Sequence, residues 1–76
     1  SGDLEGARAV LERHLMAHPL DADALLAHSD VVFRLGLREA ALEDLGKVLL
    51  FDPGREDALR RKAAIEGAKP PGGAAE

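Results

Sequence analysis

Apolar residues recur at intervals of three and four along four segments of this 76-residue chain, and proline or glycine separates one segment from the next. This spacing is typical of helices that bury one face, because residues three and four apart share a side of the helix. The pattern therefore predicts an all-α chain with four helices, at residues 4–17, 21–35, 37–50 and 55–67. Residues 68–76 lack this period and are rich in Pro, Gly and Ala, so they are predicted to form a flexible tail or linker.

Several residues at the segment ends favour particular helix termini. Asp3 is expected to cap the first helix, and either Asp21 or Asp23 the second, because a carboxylate there can accept from a free backbone N–H. Gly36 is expected to adopt a left-handed conformation after the second helix. Gly46 lies inside the third helix, where glycine costs about 1 kcal/mol relative to alanine, so a close packing contact is the expected reason for it.

Composition favours helix over strand and argues against a nucleic-acid partner. Hydrophobic residues make up 46% of the chain, but Phe33 and Phe51 are its only aromatics, so the core must consist of Leu, Val and Ala. The net charge of -4 argues against a nucleic-acid ligand, including one bound by a helix-turn-helix, because an acidic chain is repelled by phosphates. The absence of cysteine excludes disulfides and thiolate metal sites.

The chain is expected to be cytoplasmic and to have no membrane partner. No apolar run approaches the roughly 20 residues that span a bilayer, and the first residues show no signal-peptide pattern. Its Ala-, Leu- and Arg-rich, Lys-poor composition is typical of a GC-rich bacterial genome. We interpret it as a segment of a larger multidomain protein.

An internal repeat relates the two halves of the chain. Residues 2–25 match residues 36–59 at nine positions when the chain is offset by 34 residues. The identities are Gly2/Gly36, Glu5/Glu39, Ala7/Ala41, Leu11/Leu45, Leu15/Leu49, Pro19/Pro53, Asp23/Asp57, Ala24/Ala58 and Leu25/Leu59. A helix-turn-helix unit of 34 residues is typical of tetratricopeptide repeats, and the chain resembles that family over most of residues 1–67.

The resemblance covers one complete repeat, about residues 22–54, with half a repeat on either side. Gly36, Ala41, Leu45 and Pro53 match the family's turn glycine, small residue, core residue and terminal proline. The sequence departs from the family's pattern at the large aromatic, the Leu-Gly pair, the tyrosine and the second small residue, where it has Leu25, His28-Ser29, Val32 and Val48. The resemblance implies antiparallel helical hairpins stacked as a fragment of a right-handed solenoid.

The resemblance also implies a function, namely binding a peptide or helix of another protein in a concave groove lined by the second and fourth helices. The groove residues implied in this way are Asp23, Leu26, Asp30, Phe33, Arg34, Arg60 and Arg61, with Ala27, Asp57 and Ala64 beside them. Phe33 lies off the core stripe and would anchor a ligand, or else pack over the turn against Leu37. Arg60 and Arg61 would bind a carboxylate of the partner, or else form a solvated capping face.

The first helix leaves two alternatives open. A solenoid repeat buries its apolar face against neighbouring helices. The apolar face of the first helix, which includes Val10 and Leu11, has no neighbouring helix on its outer side. The chain is then either cut from a longer array or associated with itself through this helix. A homo-oligomerisation element and a docking segment of an enzyme are therefore alternatives to a peptide-binding module.

Four polar residues are candidates for sites of chemistry. His14 and His18 are four residues apart, a spacing that can hold a metal, but no third ligand accompanies them, so no metal site is expected. His28 lies on the apolar face of the second helix and is expected to be a hydrogen-bonded packing residue. Asp44, beside the stripe of the third helix, is expected to reach solvent or a neighbouring Arg. We therefore expect no catalytic residue, no cofactor and no enzyme activity.

Overall fold

The computed structural model describes residues 3–67 as four α-helices. They are α1, Leu4–Ala17; α2, Ala22–Arg34; α3, Arg38–Phe51; and α4, Glu56–Gly67. The prediction of an all-α chain is confirmed, and the observed helix ends lie within one residue of the predicted ones. The predicted tail, residues 68–76, lies outside the described residues. None of the four helices is long and apolar enough to cross a membrane.

Capping side chains fix where the first two helices begin. The Asp3 carboxylate accepts a 2.9 Å hydrogen bond from the Gly6 N–H. Of the two candidates for α2, Asp21 is the cap, because its carboxylate accepts from the Ala24 N–H at 3.2 Å. Gly36 has φ +87° after α2, as predicted, and this left-handed residue redirects the chain into α3.

The 34-residue repeat of the sequence recurs in the backbone. Adding 34 to the bounds of α1 gives the bounds of α3, and adding 34 to the first residue of α2 gives the first residue of α4. The turns agree as well, since His18 and Asp52 both donate to the carbonyl four residues earlier, at 2.9 and 2.8 Å. The carbonyls of these two residues then accept from Asp21 and Arg55, at 3.2 and 3.1 Å. The two halves are therefore built alike.

The core lies mainly between the last three helices. The extensive contacts join consecutive helices, namely α1 to α2, α2 to α3 and α3 to α4. The buried apolar cluster consists of Leu25 and Val32 from α2, Ala41, Leu45 and Val48 from α3, and Ala58 and Ile65 from α4. Helix α1 has no buried residue and reaches the edge of this cluster through Leu15. The core therefore holds α2, α3 and α4 together, and α1 lies against one side.

Gly46 does not have the close contact expected from the sequence. A methyl group at this position would meet no atom within 4 Å, so nothing approaches the helix there. The packing explanation for this glycine is therefore wrong.

Gly46→Ala is expected to raise the free energy of unfolding by about 1 kcal/mol, because alanine favours the helix and has room for its Cβ. The measurement is urea unfolding followed by circular dichroism. Gly36→Ala is the matched control, and it should lower stability by about 1–2 kcal/mol because its φ of +87° strains any residue with a Cβ. A destabilised Gly46→Ala variant would contradict the open space at this position.

Candidate functional site

Helices α2 and α4 lie side by side and run in the same direction. Two ion pairs join them: Arg55 to Asp23 near their first residues, and Arg61 to Asp30 about two turns further along, each at 2.9 Å. Since both partners advance together along the chain, the helices are parallel. We call the surface along these two helices the α2/α4 face and define it by the residues predicted for the groove. These are Asp23, Leu26, Asp30, Phe33, Arg34, Arg60 and Arg61.

Many charges of the α2/α4 face are already paired within the chain. Arg55 also donates to Asp57 at 2.8 Å, and these bonds to Asp57 and Asp23 hold the pKa of the Arg55 guanidinium above its ordinary value. The same hydrogen bond lowers the pKa of Asp57. Asp30 accepts from Arg61 and also pairs with Arg34 at 3.2 Å. A ligand at these positions would therefore meet side chains whose charges are balanced by their neighbours.

Arg60 and Phe33 are the more available groups for a partner. The Arg60 side chain is exposed, and its distance to Glu56 is 3.9 Å, at the limit of an ion pair. It lines a shallow depression of about 250 Å³ together with Asp57, Arg61 and Ala64. Phe33 is 38% exposed, which fits neither full burial over the turn nor a free side chain.

The parallel register also places Phe33 and Arg60 relative to each other. Asp30 and Arg61 are level, so Phe33 lies one turn beyond that level on α2 and Arg60 lies one residue before it on α4. The rise of 1.5 Å per residue then separates the two by about 6 Å along the helix axes. Leu26, half-buried one turn before Asp30, packs against the edge of the core. The face thus carries two apolar side chains, Leu26 and Phe33, and the cationic Arg60.

A second polar site, which the sequence did not predict as a site, joins three helices inside the molecule. The His28 ring on α2 binds Asp44 of α3 through Nδ1 at 2.5 Å and Glu12 of α1 through Nε2 at 3.0 Å. His28 is buried and hydrogen-bonded, so the prediction for this residue is confirmed. The prediction for Asp44 is wrong, because its carboxylate faces His28 rather than solvent or an Arg, and the residue is only 6% exposed. We call these three residues the His28 cluster.

The two carboxylates favour the charged form of His28. When both carboxylates are ionised, each ring nitrogen must donate, and only an imidazolium can donate from both nitrogens at once. Burial alone would lower the pKa of His28, but the hydrogen bonds to Asp44 and Glu12 outweigh it, and the pKa lies above its ordinary value. Burial raises the pKa of Asp44, and the bond to His28 and the charge of Lys47 offset part of that rise. The cluster therefore forms a charge-assisted contact among α1, α2 and α3 that is buried at His28 and Asp44 and exposed at Glu12.

The hydrogen-bonding capacity of the His28 ring is used within the cluster. Both ring nitrogens of His28 are occupied by carboxylates, and the adjacent Ser29 hydroxyl donates to the Leu26 carbonyl at 2.7 Å instead of to the imidazole. A cleft of about 250 Å³ between α1 and α3 opens onto His28 and Asp44, with Glu12 and Lys47 at its rim. The sequence contained a sign of the His28 cluster, since His28 and Asp44 are both polar residues on or beside the apolar stripes of their helices. Glu12 carried no such signal.

The histidine pair of α1 makes a local contact. The His14 ring binds the Asp21 carboxylate through Nε2 at 2.7 Å, and this bond lowers the pKa of Asp21. The His14 and His18 rings lie against each other with centroids 4.9 Å apart. Within residues 3–67, no three His, Asp or Glu side chains converge in a geometry that could hold a metal ion. Asp21 therefore both caps α2 and ties its start to α1.

Comparison of the chain with protein-family models, with curated proteins and with solved structures finds no match in any of the three.

Proposed function

We propose that the chain is a tetratricopeptide-like protein-interaction module that binds a peptide or helix of a partner protein on its α2/α4 face. The observation that carries the proposal is the parallel register of α2 and α4, because two parallel helices side by side offer an extended ligand one continuous surface. The recurrence of helix ends at 34 residues supports a stacked repeat, in which first helices line one side.

The chemistry of this face favours a ligand with an apolar side chain beside a carboxylate. Phe33 and Leu26 supply apolar area, and a half-exposed aromatic is a common anchor of protein interfaces. Arg60 is an exposed cation of the same face that is held by no short ion pair, and it can bind a carboxylate in two-pronged fashion. Asp23 and Asp30 are engaged by arginines of the same chain, so they orient those arginines and repel a second acidic group.

Phe33→Ala and Arg60→Glu are each expected to weaken peptide binding at least tenfold, or by about 1.4 kcal/mol. Peptides would be selected from a displayed random library on the immobilised full chain, and their dissociation constants would be measured in solution. Removing the aromatic ring removes the anchor, and reversing the charge of Arg60 repels the ligand's carboxylate.

Arg13→Glu is the matched control for this experiment, because it also reverses an exposed positive charge but lies on α1, away from the α2/α4 face. Circular dichroism spectra would show that each variant keeps its helices. Peptides that bind the chain but respond equally to Arg13→Glu and Arg60→Glu would place the binding surface elsewhere. A library that yields no binding peptide would also count against the proposal.

A further inference from the structure

Helices α1 and α3 occupy equivalent positions in the repeat, but they differ sharply in burial. Helix α3 buries four residues, Ala41, Asp44, Leu45 and Val48, whereas α1 buries none. The equivalent residues of α1 are Ala7, Val10, Leu11 and His14. At one of these positions, Val10 is 67% exposed where Asp44 is 6% exposed. The side of α1 that carries Val10 therefore lacks the neighbour that α2 provides for α3.

Helix α4 likewise buries less of its surface than its equivalent in the repeat does. Its equivalent in the repeat is α2, and Leu59 takes the place of Leu25. Leu25 is 2% exposed in the cluster that it shares with α3, whereas Leu59 is 46% exposed. Ala63 is likewise exposed where Ser29 is buried. The side of α4 that carries Leu59 therefore lacks the neighbour that α3 provides for α2.

The exposed sides of α1 and α4 are complementary. Helix α1 is equivalent to α3, helix α4 is equivalent to α2, and α2 and α3 pack on each other through these sides. We propose that a second copy of this chain docks head to tail, with its α1 packed on α4 in the way that α3 packs on α2. The chain's own α2–α3 contact is thus the template for the contact between copies. This inference is independent of the α2/α4 face, to which neither Val10 nor Leu59 belongs.

The side chains at the equivalent positions suit each other. Leu25, Ala41 and Leu45 belong to one apolar cluster, and their equivalents Leu59, Ala7 and Leu11 would form the same apolar contact between copies.

The polar side chains of the two surfaces also fit. Glu66 of α4 takes the place of Val32, and His14 of α1 takes that of Val48. In the antiparallel register set by His28 and Asp44, these two positions lie near opposite ends of the contact, where each polar side chain can reach solvent. Lys62 takes the place of His28 opposite Val10, where its aliphatic stem can cover the valine while its ammonium stays in solvent.

Such a contact joins two different surfaces, so it does not close on itself. Each added copy leaves one free α1 side and one free α4 side, and assembly continues. The molar mass of the full chain, measured by light scattering, should therefore rise past that of a dimer as the protein concentration increases.

Two variants separate this arrangement from other modes of association. Val10→Glu blocks the α1 side and Leu59→Glu blocks the α4 side, and each variant alone is expected to stay monomeric. Mixed together, they should form a one-to-one complex that stops at two chains, because each supplies the surface that the other lacks. Leu50→Glu, which alters an 85% exposed leucine of α3, is the control and should assemble like the unaltered chain. Circular dichroism would verify that all three variants fold.

Three results would overturn the proposal. The first is a mass that stays at one chain up to millimolar concentration. The second is an unaltered chain that assembles while Leu59→Glu assembles equally well, which would mean that α1 pairs with itself. The third is a mixture of the two variants that remains monomeric.

Discussion

Replacing His28 by leucine is expected to lower the free energy of unfolding by about 3–5 kcal/mol. The variant introduces an apolar side chain of similar size at position 28. It leaves the buried Asp44 carboxylate without its 2.5 Å hydrogen-bond partner. It also removes the bond to Glu12 that ties α1 to α2. A chain of this size is expected to have about 4–11 kcal/mol of stability in total, so the loss is a large share of it. Urea unfolding followed by circular dichroism at low temperature measures the change.

If His28→Leu does not fold, a double variant can still test the contribution of the His28–Asp44 pair to stability. His28→Leu combined with Asp44→Leu removes both buried charges, and apolar replacement of a whole buried pair is often neutral or stabilising. The double variant should therefore regain most of the stability that the single one loses. His18→Gln changes an exposed histidine and should have little effect. A single variant as stable as the unaltered chain would mean that the His28 cluster contributes nothing to the fold.

The same cluster makes stability depend on pH in a defined direction. The pKa of His28 in the folded chain lies above its ordinary value of 6.5, so its contribution is fully present below about pH 6.5 and is lost as the pH rises through the folded pKa. Asp21 and Asp57 have lowered pKa values, so their contributions are lost as the pH falls below about 3.8, whereas the raised pKa of Asp44 removes stability as the pH rises above that value. Stability should therefore be greatest in weakly acidic solution, and the fall above neutral pH should be absent in the double variant.

Leu45→Ala is expected to cost about 2–5 kcal/mol, because it opens a cavity among the three helices that share the core. Leu45 is 0% exposed, and its cluster includes residues from α2, α3 and α4. Leu50→Ala is a close control, since it makes the same chemical change in the same helix at a position that is 85% exposed. Its expected cost is within about 0.5 kcal/mol. Equal losses in the two variants by urea unfolding would contradict the placement of the core on the inner side of α3.

The helices and most of the core follow from local rules that a sequence displays. Periodic leucines, the Asp3 cap and Gly36 each act within a few residues, so the pattern alone locates the helix ends. The His28 cluster depends on contacts between residues 16 apart in the chain, and periodicity carries no information on which polar groups meet across helices. The ion pairs of Asp23 with Arg55, 32 residues later, and of Asp30 with Arg61, 31 residues later, escaped prediction for the same reason.

Gly46 shows a different limit of sequence interpretation. A glycine inside a helix indicates an unusual position, but the same residue is compatible with a close contact and with empty space. The surroundings of its Cα, which involve other helices, decide between the two. For the α2/α4 face, the choice of residues rests on the resemblance and stays a prediction. The ion pairs among those residues could be seen only in the structure.

The packing of each helix mainly on its neighbours in the chain has a consequence for how the molecule folds. Contacts between consecutive helices join residues that are close in sequence, and such a low contact order is associated with folding in microseconds to milliseconds. Because α2 and α3 share the largest part of the core, their hairpin is the natural nucleus, and α4 adds to it through Ala58 and Ile65. Helix α1, with no buried residue, joins last and opens first, as a separate unit of local unfolding.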